Sequence, residues 1–268
     1  MPMSCEKSMP IPLNCQIKKY LLLVLPIFSL LCVWELIARS GAVNAYLFPP
    51  PSRVFYALGL MTADGTIFGH IFISLRRVIL GLGMGSICGI LVGFLTGRLK
   101  DVSKLVTPII QVFRPLPPVA IIPLVIVWFG IGDGAKIFSI AFAVFFLVWI
   151  NVHIGSERIS KIHIWSARLL SGSRWKIFFK VLIPAILPFI MSGVRLGIAM
   201  SFIMVFVSEL TGASSGLGYL ISISNLSYRI DQMMAALLVL AALSVALDQL
   251  FVWLTNRLAP WMKLSSTQ

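Results

Sequence analysis

Six runs of about twenty mostly apolar residues, separated by polar and basic stretches, constrain this chain more than any other feature of it. A helix needs about 20 such residues to cross the hydrocarbon core of a bilayer. The runs are Tyr20 to Ala38, Val78 to Gly97, Leu105 to Phe129, Ala135 to Ile154, Pro188 to Ser208 and Met233 to Leu254. Of the 268 residues, 59% are hydrophobic and 12% are charged, whereas a soluble domain carries about a quarter charged residues. Such a chain cannot cover its surface with polar groups in water. The expectation is an all-α polytopic membrane protein with six transmembrane helices: a cytoplasmic segment over 1–19, then one membrane domain over 20–268.

The runs differ in character. The first follows Lys18 and Lys19 and has no small-x-small cleavage site after it, so it reads as a retained anchor rather than a signal peptide. The second carries Gly81, Gly83, Gly85, Gly89, Gly93 and Gly97. In lipid, small residues let helices approach closely, so this helix is expected to be buried against others. The third is interrupted by Pro108, Arg114, Pro115, Pro117, Pro118 and Pro123. Non-helical backbone survives at membrane depth only where protein or a water-lined cavity satisfies it. Phe113 to Pro118 is therefore either a loop at the membrane surface or part of a pathway lining, with Arg114 the residue that would face the pathway.

The formal net charge of +13 invites a nucleic-acid reading, which needs basic residues gathered on one exposed face. Here they sit between the apolar runs instead, and their placement follows membrane topology. Most of the 22 Lys and Arg fall on the cytoplasmic side if both termini are cytoplasmic, as the positive-inside rule prefers. Nucleic acid is not an expected partner. Cys5, Cys15, Cys32 and Cys88 have no metal-ligand spacing and read as apolar fillers or unpaired thiols.

The linker at 155–187 is the most informative stretch. Ile159, Ile162, Ile164, Trp165, Leu169 and Leu170 alternate with Lys161, His163, Ser166 and Arg168. The turn signal Ser171-Gly172-Ser173 follows, then a second amphipathic stretch from Arg174 to Lys180, ending at Pro184 and Pro188. Two short helices joined by a small-residue turn are expected beneath the membrane. Read from the residues alone, this hairpin is equally a lipid-surface element with Trp175 at the interface or a docking surface for a cytoplasmic partner.

These residues also carry a resemblance. Ser166 to Trp175, followed by Val181 to Pro188, is similar to the cytoplasmic "EAA" loop of binding-protein-dependent ABC importer permeases. In order and spacing, Phe48 to Ser52, Ser74 to Arg77, Arg114 to Pro118, Trp128 to Gly132, Gly193 to Leu196 and Ser215 to Leu220 resemble the same family, in its taurine, aliphatic sulfonate and nitrate branch. The chain departs from the pattern at Trp165-Ser166-Ala167, where the family has Glu-Ala-Ala, and at Ser171, where it has the loop glycine. The first change removes an acid that would pair with the ATPase subunit. The second moves the turn glycine to Gly172.

The resemblance implies a type I importer permease of the bacterial inner membrane, with no catalytic residues, cofactor or metal of its own. Its partners would be a second permease copy, two ATP-binding subunits and an external solute-binding protein, within membrane lipid. Ile162 to Leu170 would be the coupling helix, with Ile164, Ala167 and Leu170 as apolar anchors and Arg168 and Arg174 at the rim, since docking surfaces place apolar anchors centrally. A small anion is the solute class this implies.

Charges inside spans are costly and tend to face protein or water. Arg195, about two turns into the fifth run, is open to three readings: it pairs with an acid, reaches the surface, or lines the pathway. Glu35, Asp248 and Glu209 lie near run ends and are expected at the interface, Glu209 in contact with water. His153 and Asn151 suit structural hydrogen bonding better than proton relay. Gly212 to Tyr219 lacks the Lys-Ser or Lys-Thr of a phosphate cradle, and no such loop occurs elsewhere, so ATP hydrolysis is expected on another chain. The alternative is an ion-gradient-driven transporter or channel, which favours acids buried in mid-span. A membrane-embedded enzyme would need a catalytic constellation that no set of residues here supplies.

Overall fold

Helices make up nearly all of the computed structural model, which describes residues 13–41, 43–44, 46–159, 165, 169 and 173–258. In chain order they are α1 (Leu13–Arg39), α2 (Pro51–Ala63), α3 (Thr66–Arg98), α4 (Lys100–Phe113), a 3-10 turn (Pro118–Ile121), α5 (Ile122–Phe129) and α6 (Asp133–Glu157). Further along come α7 (Arg174–Ile177), a π-turn (Phe178–Leu182), α8 (Ile183–Leu210), α9 (Leu217–Leu226) and α10 (Ile230–Leu258). Among the described residues there is no strand.

Among the described residues, four helical stretches are long and apolar enough to cross a membrane: Thr66–Arg98, Asp133–Glu157, Trp175–Leu210 and Ile230–Arg257. A fifth results if the bent pair Lys100–Phe113 and Pro118–Phe129 counts as one span. These contain the second to sixth predicted runs. The first run lies within α1, a 27-residue helix whose side chains are described from Leu25 onward.

α3 and α6 form the spine of the bundle, with α8 against α6 and α10 against both α8 and α2. Five of the six glycines singled out in the second run meet α6. A Cβ added at Gly81 would stand 2.6 Å from Ile140, at Gly85 2.8 Å from Val144, at Gly89 2.8 Å from Val148, at Gly93 2.9 Å from Val152 and at Gly97 2.5 Å from Ser156. Both series advance four residues at a time, so a row of notches on α3 receives a row of mostly β-branched side chains on α6. The sixth, Gly83, faces open space.

The fold differs from expectation in three places. The linker between the first two runs contains α2, which buries Val54, Ala57 and Met61. It is tied to α1 through Glu35, which accepts hydrogen bonds from the Ser52 backbone N–H at 3.1 Å and the Ser52 hydroxyl at 2.8 Å. Second, α3 begins at Thr66, twelve residues before the predicted run, so Arg76 and Arg77 lie within the helix. Third, the stretch from Arg174 does not stop at Pro184. It continues through the π-turn into α8, because Pro184 falls in the first turn of that helix, where the missing N–H is tolerated.

The proline-rich break bends the third span by 85°. Its 3-10 turn packs on α6 and α8, and Ile122 and Val125 just after it are buried, whereas Arg114 to Pro117 of the break itself are exposed. Gly89→Val is expected to lower thermal stability in detergent by several degrees, because overpacking costs about 1–3 kcal/mol, whereas Gly83→Val should leave it unchanged. Equal melting shifts for the two variants would contradict the notch-and-ridge packing.

Candidate functional site

At the end of the bundle where α6 begins, a buried polar network joins four elements. Arg77 on α3 is 3% exposed and Glu209 near the end of α8 is fully buried; Arg77 Nη1 donates to Glu209 Oε1 at 2.6 Å. The same Nη1 donates to the Ser215 carbonyl at 2.7 Å. Arg77 Nε donates to Asp133 Oδ1 at 2.9 Å. Arg76, more exposed, also pairs with Asp133.

Glu209 accepts further bonds from the Ser74 hydroxyl at 2.9 Å and the Gly218 N–H at 2.8 Å. Ser74 Oγ accepts the Leu217 N–H at 2.8 Å, and His70 Nδ1 accepts the Gly216 N–H at 3.1 Å. The glycines of this loop are needed to approach the carboxylate: a Cβ at Gly216 or Gly218 would lie 2.4 Å or 2.7 Å from Glu209 atoms. Gly216 also holds a φ of +118°, which side-chain-bearing residues rarely adopt. Nearby, buried Lys136 donates to the Ile131 carbonyl at 2.8 Å.

This overturns the expectation that Glu209 meets water. Residues 211–218 fold back over the end of α8 and seal it. An acid at the end of an apolar run looks the same in sequence whether a loop covers it or not. The usable signal was the pair of glycines that follows within nine residues.

At the opposite end, Thr96 donates to the Val92 carbonyl at 2.8 Å and accepts the Trp149 indole N–H at 3.2 Å. His153 Nδ1 stands 3.0 Å from the same hydroxyl, and Asn151 donates to the Leu147 carbonyl at 2.8 Å. Both residues have the structural role read from the sequence.

Between these ends, Arg195 on α8 forms a two-point ion pair with Asp248 on α10: Nε to Oδ1 at 2.9 Å and Nη2 to Oδ2 at 3.0 Å. Of the three readings of Arg195, pairing with an acid is realised. Asp248 lies ten residues before the end of α10, well inside the span rather than at its edge. The pair lines an open groove of about 650 Å³ between α8 and α10, together with Ser192, Ala199, Ser244 and Gln249. Arg114 caps α4 at the elbow of the bent span and is exposed, apart from this groove.

Of the expected coupling residues, Ile164, Ser166, Ala167, Arg168, Leu170, Ser171 and Gly172 lie outside the described residues. Trp165 is helical and 60% exposed, Leu169 is helical and 90% exposed, and Arg174 opens α7. Trp175 is exposed and stacks on Phe179 with ring centroids 6.1 Å apart.

A bundle of apolar spans laced by glycine notches, with a broken third span, defines a multi-pass membrane protein. The family model of the binding-protein-dependent transport system inner membrane component matches residues 85–264, and the chain belongs to that family of ABC importer permeases. It is 32% identical over 239 residues to the taurine transport system permease protein TauC of Escherichia coli K12, covering 87% of this chain and 86% of the relative. It is 31% identical over 232 residues to a putative aliphatic sulfonates transport permease protein, SsuC, of Bacillus subtilis 168, covering 87% and 84%.

Among solved structures, the MetNI methionine ABC transporter in an inward-facing form superposes with a TM-score of 0.57 at 22% identity, covering 71% of this chain and 93% of that one. An amino acid ABC transporter solved with histidines gives 0.58 at 17% identity, covering 76% and 98%. Both share the type I importer permease fold. The chain is thus an inner-membrane permease subunit of an importer.

Removing one partner of a buried ion pair costs about 3–5 kcal/mol. Arg77→Met is therefore expected to destabilise the protein far more than Arg76→Met, as read by thermal unfolding in detergent. Equal losses would mean that Glu209 does not depend on Arg77.

Proposed function

We propose that this chain is the membrane-spanning half of an ATP-driven importer for a small anionic solute such as a sulfonate, taurine or nitrate. In this reading residues 20–268 form one permease domain with both termini in the cytoplasm, as the basic residues favour. Two copies form the pathway, and two ATP-binding subunits each engage one coupling loop at 155–187. An external binding protein delivers solute, and ATP is hydrolysed on the separate subunits. Family membership supports the assembly, and the taurine and aliphatic sulfonate relatives support the solute class.

One observation carries the coupling role. Leu169 is 90% exposed, Trp165 60% and Trp175 73%, all in the segment between α6 and α8. Large apolar side chains presented beside the exposed Lys176 and Lys180 suit a protein groove with an apolar centre and a polar rim. In the docked state Ile164, Ala167 and Leu170 fill that groove, with Ser166 beside them, and Arg168 and Arg174 meet its edge. The Ser171-Gly172 turn sets the angle between the two short helices. Closure of the ATPase pair then moves the hairpin, and α6 and α8 carry that movement into the membrane as rigid bodies.

The test is to purify the chain with the ATPase and binding protein encoded beside it and reconstitute them in vesicles. Solute-loaded binding protein is expected to raise ATP turnover severalfold. Leu169→Asp and Ala167→Asp should each reduce uptake at least tenfold while the spans remain folded and basal ATP turnover persists. Uptake without ATP would refute the importer reading. Unaltered uptake in both variants would mean that the hairpin touches lipid rather than an ATPase.

A further inference from the structure

The two intramembrane arginine pairs are built differently, and the difference points to a ligand site. Arg77 and Glu209 are sealed: each is held by further bonds to Ser215, Asp133, Ser74 or Gly218. Arg195 and Asp248, by contrast, bond only to each other among the described residues, and their side chains are 39% and 27% exposed. Arg195 is twelve residues into α8 and Asp248 ten residues from the end of α10, about 18 Å and 15 Å along their helices. Both therefore lie at hydrocarbon depth.

Ionised groups facing acyl chains at that depth are strongly disfavoured, so an open pair of this kind belongs in a water-filled or ligand-filled space. The groove it lines, about 650 Å³, has the size of a small-molecule site. Its walls supply hydroxyls from Ser192 and Ser244 and the amide of Gln249 beside apolar Leu196, Ile198 and Val245.

We propose that the Arg195–Asp248 pair is an exchangeable counter-ion pair that receives a zwitterionic amino-sulfonate. The sulfonate takes the guanidinium fork, which matches the planar two-point recognition of oxyanions. The solute's ammonium takes the Asp248 carboxylate. Each protein charge exchanges one partner for another, so neither is left unpaired once the solute is bound, and the Ser244 hydroxyl can donate to the remaining sulfonate oxygen while Ser192 keeps its bond to the Pro188 carbonyl. A simple alkanesulfonate satisfies Arg195 but leaves Asp248 without a cation, so it binds more weakly. This inference rests on the importer reading and deepens it by naming the solute's charge pattern and the residues that read it.

The experiment is equilibrium binding of 2-aminoethanesulfonate and of ethanesulfonate to the purified permease–ATPase complex, without binding protein, so that selectivity comes from the permease alone. The wild type is expected to bind the amino-sulfonate at least tenfold tighter. Asp248→Asn should abolish that preference by raising ethanesulfonate affinity toward that of the amino-sulfonate, and Arg195→Gln should remove binding of both. A purely structural clamp would shift both probes equally in Asp248→Asn, and that result overturns the proposal, as does a wild type that binds neither probe. Should Asp248→Asn fail to assemble, Ala199→Phe narrows the groove with both charges in place. It must then weaken both probes at least tenfold, and unchanged binding overturns the proposal. ATP-driven uptake measured in parallel separates the two readings: uptake without ATP sinks the importer, whereas ATP-driven uptake with no binding at the groove sinks only this site.

Discussion

The Arg77–Glu209 ion pair is the interaction on which the arrangement of this bundle depends. Two opposite charges at the edge of a membrane domain are tolerated only if every lone pair and proton around them is used. Here Ser74, Asp133, Ser215 and Gly218 use them. Those partners come from α3, the start of α6, the loop after α8 and the start of α9, so meeting the needs of this one ion pair fixes the relative positions of those segments. The glycines at 216 and 218 follow from the same demand, since a side chain at Gly216 would strike the carboxylate and one at Gly218 the Glu209 Cβ and the Phe206 carbonyl.

That network also separates what the bundle holds fixed from what it leaves open. Both arginine pairs lie within apolar helices, yet one is enclosed on every side and the other faces a groove. The enclosed pair has no room to take another partner. The open pair lies between α8 and α10, of which α8 follows the proposed coupling loop. On the proposed roles, recognition of solute and receipt of mechanical work meet on one helix.

Much of this was legible in the sequence for plain physical reasons. A bilayer requires twenty apolar residues for a crossing, so the spans are evident as runs, and the glycine row in the second run marks close approach because only packing can reward it there. The amphipathic hairpin reads as a distinct element because its apolar residues change from continuous to periodic. What could not be read were pairings across distant sequence. Arg77 fell just outside the second run because hydropathy drops at two adjacent arginines, although the helix begins eleven residues earlier. Glu209 and Asp248 looked interfacial because position along a run does not reveal which partner waits across the bundle. α2 escaped notice because at 13 residues it is too short to register as a crossing.

The glycine row on α3 has a mechanical consequence. Each notch accepts one α6 side chain, and neighbouring notches are four residues apart, about 6 Å along the axis. Small sliding would drive backbone into side chain at five points simultaneously, so the two helices can occupy only discrete registers, like a ratchet bar and its pawls. A conformational cycle that leaves this couple unsheared would move it as a stiff central strut, flanked by the 85° elbow of the third span and the π-turn ahead of α8.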